Sequence, residues 1–128
     1  MKNGFKEVVD KILRSYGLKT TSDCIGAVWS EGNFMYAVLR TMGYRVEDGI
    51  NNPPYDYVIM SSKKSTLPNI LEALTKIKTG TIIIFRVTSV ELSNVLMDMN
   101  KLKCGLKASF WGYGGDKILG VIFKGKKD

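Results

Sequence analysis

The side chains best suited to chemistry lie in short polar segments that directly follow apolar runs. The first such segment, SEGN, contains Glu31 and Gly32; a second pairs Glu47 with Asp48, and a third begins with Ser61 and continues with a serine and a lysine. Carboxylates accept hydrogen bonds from amino and hydroxyl groups, whereas serine and lysine can donate hydrogen bonds to an anion. All of these residues are also common in solvated loops, so both interpretations stay open at this point.

Classical acid–base, nucleophilic and metal catalysis are poorly supported by the sequence. It has no histidine, and its two cysteines, Cys24 and Cys104, cannot form a metal site alone. A Gly-x-Ser-x-Gly elbow and a Walker lysine loop are absent as well. We therefore expect reduced thiols and no metal. Methyl transfer stays possible, because positioning and desolvation can support it without a dedicated base.

The elements that must position these side chains are clearest in the middle of the chain. Tyr55–Met60 ends in an apolar run of strand length, and Thr66 is a typical N-cap for the amphipathic helix that follows and ends at Gly80. Thr81–Val87 is β-branched and apolar without alternation, which is typical of a strand buried on both faces. This order predicts a right-handed βαβ unit in the middle of an α/β sheet.

The rest of the chain supplies helices and strands around this unit. Further helices are predicted at residues 4–16, 33–42 and 89–102, and further strands at 23–29 and 44–47. After an alternating strand, a turn at Gly114–Gly115 leads into an apolar returning strand, Lys117–Lys124. We predict one domain, residues 1–128, with a three-layer α/β fold. Its mostly parallel sheet has about six strands, helices cover both faces, and the last strand of a C-terminal antiparallel hairpin is inserted inwards.

Three segments carry a resemblance to a known family. YRVEDG (44–49), YDYVIMSS (55–62) and LEALTKIKTGTIIIF (71–85) resemble the second, fourth and fifth strand regions of class I S-adenosylmethionine-dependent methyltransferases, which have a Rossmann-like fold with this type of hairpin. The resemblance implies S-adenosylmethionine as the cofactor, bound beyond the carboxyl ends of the strands. It also implies that Glu47 or Asp48 binds the ribose diol, that Glu31 faces an amino group, and that Gly32 and Ser61 line the crevice.

The glycine-rich loop of that family is reduced in this chain. The family has acidic-x-Gly-x-Gly-x-Gly after its first strand, where the glycines let the backbone approach the cofactor. Here the matching stretch, DCIGAVWSEGN, has Gly26 within the strand and only Gly32 in the loop. Gly49–Pro54 is also too short for the helix and strand that the family has between its second and fourth strands. These differences indicate a trimmed domain with reduced or lost catalysis. The alternative is a non-enzymatic dimeric or nucleic-acid-associated module on a Rossmann-like fold.

A second family motif occurs out of place. Asn52-Pro53-Pro54-Tyr55 matches the Asn-Pro-Pro-Tyr motif of amino-group methyltransferases, in which the asparagine and the first proline carbonyl hold the target amine. In that family the motif follows the fourth strand, whereas here it precedes the strand that resembles the fourth. The position predicts that the motif lies at the opposite edge of the sheet, and the alternative interpretation is a proline-stiffened loop.

Charge and surface composition suggest partners. The net charge of +7 allows attraction to a polyanion such as nucleic acid, although the lysines are scattered and solvated surface is the alternative. Trp111 and Tyr113, on the outer face of a predicted edge strand, suggest a homodimer contact. No run approaches the roughly 20 apolar residues of a membrane span, and the first helix lacks an apolar signal core. We therefore expect a cytoplasmic protein without a membrane partner.

Overall fold

The computed structural model describes residues 4–51, 54–102 and 107–125. Along the described chain, helices alternate with strands and the chain closes with two consecutive strands. The elements are α1 (Phe5–Ser15), β1 (Gly26–Trp29), α2 (Phe34–Thr41), β2 (Val46–Asp48), β3 (Tyr57–Met60), α3 (Leu67–Lys76), β4 (Ile82–Thr88), α4 (Ser89–Leu102), β5 (Ala108–Gly114) and β6 (Lys117–Phe123).

One six-stranded sheet runs through the domain in the order β2-β1-β3-β4-β6-β5. The strands from β2 to β4 are parallel, whereas β6 is antiparallel to both of its neighbours, β4 and β5. The returning strand of the hairpin is therefore inserted between β4 and β5, and the predicted fold class is confirmed. Insertion gives β6 two strand partners, which explains why its central residues are buried while β5 at the edge is only half-buried.

Two apolar layers cover the faces of the sheet. On one face, α1 and α2 bury Val8, Val9, Ile12, Leu13 and Leu39 against the strands. On the other face, α3 and α4 bury Leu67, Ile70, Ala73, Val95 and Met99. The uninterrupted apolar run of β4 is explained by its place between β3 and β6, because its side chains enter both layers.

Two glycines in the sheet make room for aromatic rings on neighbouring strands. Gly26 of β1 pairs with Tyr57 of β3, and Gly120 of β6 pairs with Phe85 of β4. A Cβ atom at either glycine would overlap the partner's ring, so each ring occupies the space above a glycine. Both aromatic residues are fully buried. Gly26 is therefore a packing glycine, and this role accounts for its position inside the strand.

Several predicted boundaries shift by one or more residues. The hairpin turn consists of Gly115 and Asp116 rather than the two glycines, since β5 extends through Gly114. The first helical turn of α4 is capped by Thr88, whose hydroxyl accepts a hydrogen bond from the Glu91 N–H at 3.3 Å. The Glu91 carboxylate accepts one from the Thr88 N–H at 2.9 Å in return. Ser89 is the first residue of the helix.

Candidate functional site

The best-defined polar contact at the carboxyl edge of the sheet joins the segments after β1 and β3. The Ser61 hydroxyl donates a hydrogen bond to Glu31 Oε2 at 2.8 Å and accepts one from the Lys64 N–H at 3.3 Å. The chain leaves β1 towards β2 on one side and leaves β3 towards β4 on the other, so the strand order reverses between β1 and β3. The contact between Ser61 and Glu31 therefore spans the topological switch point, where open α/β sheets bind ligands.

Electrostatics keep the Glu31 carboxyl ionised. The hydrogen bond from Ser61 lowers the pKa of this carboxyl below its ordinary value, and the ammonium groups of Lys63 and Lys64 act in the same direction. Ser61 itself is buried, which fixes the position of its hydroxyl. An ionised carboxylate with a fixed orientation can accept a hydrogen bond from an amino or ammonium group of a ligand.

A cavity of about 350 Å³ opens beside this contact. It is lined by Ser30, Glu31, Gly32, Phe34, Met35, Ser61, Ser62, Lys63 and Arg86. Three of the predicted site residues, Glu31, Gly32 and Ser61, are thus brought together. A Cβ atom at Gly32 would have no protein atom within 4 Å, so this glycine borders open space.

The other two predicted residues, Glu47 and Asp48, lie on β2 and do not line that cavity. Glu47 accepts a hydrogen bond from the Tyr55 hydroxyl at 2.7 Å, and the same hydroxyl accepts one from the Asn51 N–H at 2.9 Å. Glu47 therefore helps to hold the loop after β2. Asp48 is the last residue of β2 and pairs with Val28 of β1. Within the described parts of the chain, no hydrogen bond or ion pair engages the Asp48 carboxylate.

A second, larger cavity of about 740 Å³ adjoins the first and shares Phe34, Met35 and Arg86 with it. Its remaining lining comes from α1, α2 and the β5–β6 hairpin: Gly4, Phe5, Val38, Leu39, Met42, Tyr113, Gly114, Gly115, Asp116 and Lys117. We refer to the two adjoining cavities together as the crevice, which has a polar end at Glu31 and an apolar end lined by α2. The apolar side chains on this side of α2 are only partly covered, since Leu39 is buried while Val38 and the next-turn residue Met42 are exposed.

Arg86 and Phe34 are two of the crevice residues that sequence reasoning missed. Arg86 lies within an apolar strand that was interpreted as sheet interior, and Phe34 is the first residue of α2. A single charged residue near the carboxyl end of an otherwise apolar strand is the signal that points to Arg86, because such strands rarely bury a charge without a purpose. The signal at Phe34 is weaker, and its 79% exposure becomes visible only in the structure.

Three aromatic residues on the strands, Trp29, Trp111 and Tyr113, are half-buried. The Trp29 ring is flanked by the ammonium groups of Lys64 and Lys76, 5.6 and 5.2 Å from its centroid. Trp111 and Tyr113 pack against the layer that contains α1, so the face of β5 that was predicted to be its outer face is partly covered within the chain. The homodimer contact suggested for this face stays a prediction.

Three residues discussed in the sequence analysis lie outside the described residues. They are Asn52 and Pro53 of the Asn-Pro-Pro-Tyr match, and Cys104. Tyr55, the last residue of the Asn-Pro-Pro-Tyr match, precedes β3 at its amino end and is buried. Cys24 is a buried free thiol, and its burial raises the pKa of that thiol. In the described ranges, no three side chains of the metal-ligating types form a cluster, and no helix is long and apolar enough to cross a membrane.

Comparison of the fold with solved structures gives matches to class I methyltransferases. Precorrin-6y C5,15-methyltransferase from Geobacter metallireducens GS-15 is 10% identical with a TM-score of 0.52, covering 94% of this chain and 89% of that one. The fibrillarin/Nop5p complex gives 10% identity and a TM-score of 0.52, covering 90% and 79%. PigF with SAH gives 12% identity and a TM-score of 0.50, covering 90% and 61%.

These matches establish the class of fold. The chain has the Rossmann-like fold of class I S-adenosylmethionine-dependent methyltransferases, as its sequence resemblance indicated. At these identities the likeness concerns the fold alone. No protein-family model matches the sequence, and a search of curated proteins found no match.

Proposed function

We propose that this protein is a small methyltransferase-like domain that binds S-adenosylmethionine in the crevice and has reduced or lost catalysis. The observation that carries the proposal is the hydrogen bond between Ser61 and Glu31 across the switch point of the sheet. It prepares an ionised acceptor at the position where this type of fold binds its ligands. The complex of PigF with SAH, which has a similar fold, supports the choice of ligand.

Each proposed contact uses a group that the structure leaves open to a ligand. Glu31 has a second carboxylate oxygen for the ligand's amino group, while Ser61 fixes the orientation of the first. Gly32 borders the crevice without a side chain, so the ligand can approach its backbone. Asp48 lies outside the lining of the cavity but ends β2 at the same edge of the sheet, so its proposed contact is with the ribose diol of a ligand that extends past the cavity. Glu47 supports the adjacent loop through Tyr55. The donors and acceptors of these residues suit the polar parts of a nucleoside.

Catalysis is proposed to be weak because the cradle is incomplete. S-adenosylmethionine, when bound, supplies an electrophilic methyl group, and the protein's contribution is to orient the acceptor and exclude water. Gly32 is the single glycine of the loop after β1, and Gly26 is committed to packing against Tyr57. A loop with fewer glycines makes fewer close backbone contacts with the ligand. We therefore expect the protein to bind S-adenosylmethionine but to transfer its methyl group slowly or not at all.

Calorimetric titration of the purified protein with S-adenosylmethionine tests the proposal, with SAH and ATP as comparison ligands. We expect saturable binding in the micromolar range and at least tenfold weaker binding in Glu31→Gln and Asp48→Asn. Glu72→Gln is the matched control, because Glu72 is an exposed carboxylate paired with Lys76 on α3. It should bind the ligand as the unmodified protein does.

Two results would contradict the proposal. One is the absence of heat at millimolar S-adenosylmethionine; the other is equal weakening by Glu31→Gln and Glu72→Gln. Either result would direct attention to the alternatives, which have different signatures. A dimer would be detected by mass in solution, and a nucleic-acid partner by binding that weakens steeply as salt is raised.

A further inference from the structure

The apolar end of the crevice has an unusual charge at its base. Arg86 projects from β4 on the face covered by α1 and α2 and lines both cavities. Its guanidinium lies over the Phe5 ring, 5.2 Å from the centroid, and its Nε donates a hydrogen bond to the Tyr113 hydroxyl at 3.4 Å. Among the described residues, no carboxylate forms an ion pair with it, so most of its N–H donors are available.

The charges around this cavity leave a positive excess. Asp116 and Lys117 lie at the rim, where both are exposed, and their opposite charges offset each other. Arg86 is half-buried and lies deeper, beside two aromatic rings. A partly desolvated guanidinium without a carboxylate partner gains strongly from an anion, and its planar fork suits a carboxylate in particular.

The walls above Arg86 are apolar and open. Phe34 and Val38 on α2 and Met42, which directly follows it, are spaced four residues apart and are 79%, 37% and 40% exposed. They face a cavity of about 740 Å³, which is within the range of sites for small organic molecules. Large apolar side chains around a concavity with a single charged group at its base are typical of a site for an amphipathic ligand.

We propose that this cavity binds a small apolar carboxylate, whose aromatic or aliphatic body lies between α2 and the β5–β6 hairpin and whose carboxylate is held by Arg86. The site adjoins the proposed cofactor end of the crevice but does not depend on it. A carboxylate can therefore bind whether or not S-adenosylmethionine does.

Paired ligands that differ only in charge test this site. The probes are 4-phenylbutyrate and decanoate, each titrated beside its neutral alcohol, 4-phenylbutanol or decanol, into protein without S-adenosylmethionine. We expect the carboxylates to bind at least tenfold more tightly than the alcohols. In Arg86→Met the carboxylates should lose about tenfold in affinity while the alcohols change little, because the substitution removes the charged guanidinium and keeps an unbranched apolar side chain in place of the arginine's aliphatic stem.

Lys117→Met is the matched control, since it removes the same charge from the exposed rim of the cavity. It should change carboxylate affinity by less than twofold. Thermal unfolding of each variant shows whether it is folded, and Arg86→Lys separates the guanidinium fork from charge alone. Arg86→Lys should recover part of the lost affinity.

Three outcomes would overturn the proposal. The first is no saturable binding of either carboxylate at millimolar concentration, and the second is equal affinity for acids and alcohols. The third is a dimer in solution that dissociates on Phe34→Ser, which would assign the apolar wall to a second copy of the chain. Titration with S-adenosylmethionine is a separate measurement, so failure here leaves the proposed cofactor site untouched.

Discussion

The interior of the sheet and its carboxyl edge use glycine in opposite ways. In the interior, Gly120 lies beneath the fully buried ring of Phe85, and an added methyl group would overlap that ring. At the edge, Gly32 borders open space, and Phe34 next to the crevice is largely exposed. The interior therefore has no space for an added methyl group at Gly120, whereas the edge has free space and exposes apolar surface. This difference indicates that close packing of the strands stabilises the fold, and that the residues at the strand ends have room to bind a ligand.

The largest change in the free energy of unfolding is expected when a methyl group is added to a glycine in the interior of the sheet. Gly120→Ala should lower the free energy of unfolding by about 1–3 kcal/mol, because Phe85 has no free space to move into. Gly26→Ala should act similarly through Tyr57. Gly32→Ala is the control: its φ lies outside the left-handed region, so we expect a change within about 0.5 kcal/mol.

Urea unfolding followed by circular dichroism measures all three variants. If Gly120→Ala and Gly32→Ala had the same unfolding midpoint, the distinction between a packed interior and an open edge would be wrong. Gly32→Ala has a second use in the S-adenosylmethionine titration. It should weaken ligand binding without changing stability, which separates a role in the site from a role in folding.

The interior and the edge also differ in how much of their structure could be predicted from the sequence. Apolar runs and helical stripes are local, and they were sufficient for the order of elements and for the inserted last strand, Lys117–Phe123. Glu31 and Ser61 were found because both follow apolar strands, and the rule for strand ends depends only on strand direction. The packing of Gly26 under Tyr57 was not predictable, because it depends on the register between strands that are distant in sequence.

Arg86 and Glu47 show the same limit at the edge. A periodicity argument treats Arg86 as one exception in an apolar strand, and only the arrangement of α1, α2 and the hairpin reveals the cavity that it lines. Glu47 has the residue type and position expected of a ribose ligand. Its hydrogen bond to Tyr55 depends on the path of the loop between them, which the sequence pattern does not specify.

A smaller effect is expected from removing the hydroxyl that joins the two strand ends. Ser61→Ala deletes the hydrogen bond to Glu31 and should lower the urea midpoint of unfolding slightly at neutral pH. It should also raise the pKa of the Glu31 carboxyl towards its ordinary value, because that hydrogen bond is the main cause of the lowering.

The sign of the pH dependence follows from this shift. A carboxyl whose pKa is lowered in the folded state contributes stability above its unfolded pKa, and this contribution is lost as pH falls through the folded pKa. The stability difference between the unmodified protein and Ser61→Ala should therefore narrow as pH falls below the ordinary pKa of a glutamate carboxyl, about 4.3. Side-chain carbon NMR titration of Glu31 measures the pKa directly. An unchanged pKa in Ser61→Ala would show that the lysines, rather than the serine, hold it low.

The smallest effect on stability, and the most selective effect on binding, is expected at Phe34. Its ring is 79% exposed, so Phe34→Ser removes little buried area and should change the free energy of unfolding by no more than about 0.5 kcal/mol. Val90→Ser is the matched control, because Val90 is 75% exposed at the start of α4 on the opposite face of the sheet. Both variants should unfold as the unmodified protein does, but only Phe34→Ser should weaken binding of 4-phenylbutyrate. Equal binding of 4-phenylbutyrate by the two variants would mean that the Phe34 ring contributes nothing to the site. The exposed apolar surface at the edge of the sheet would then have no role in binding this ligand.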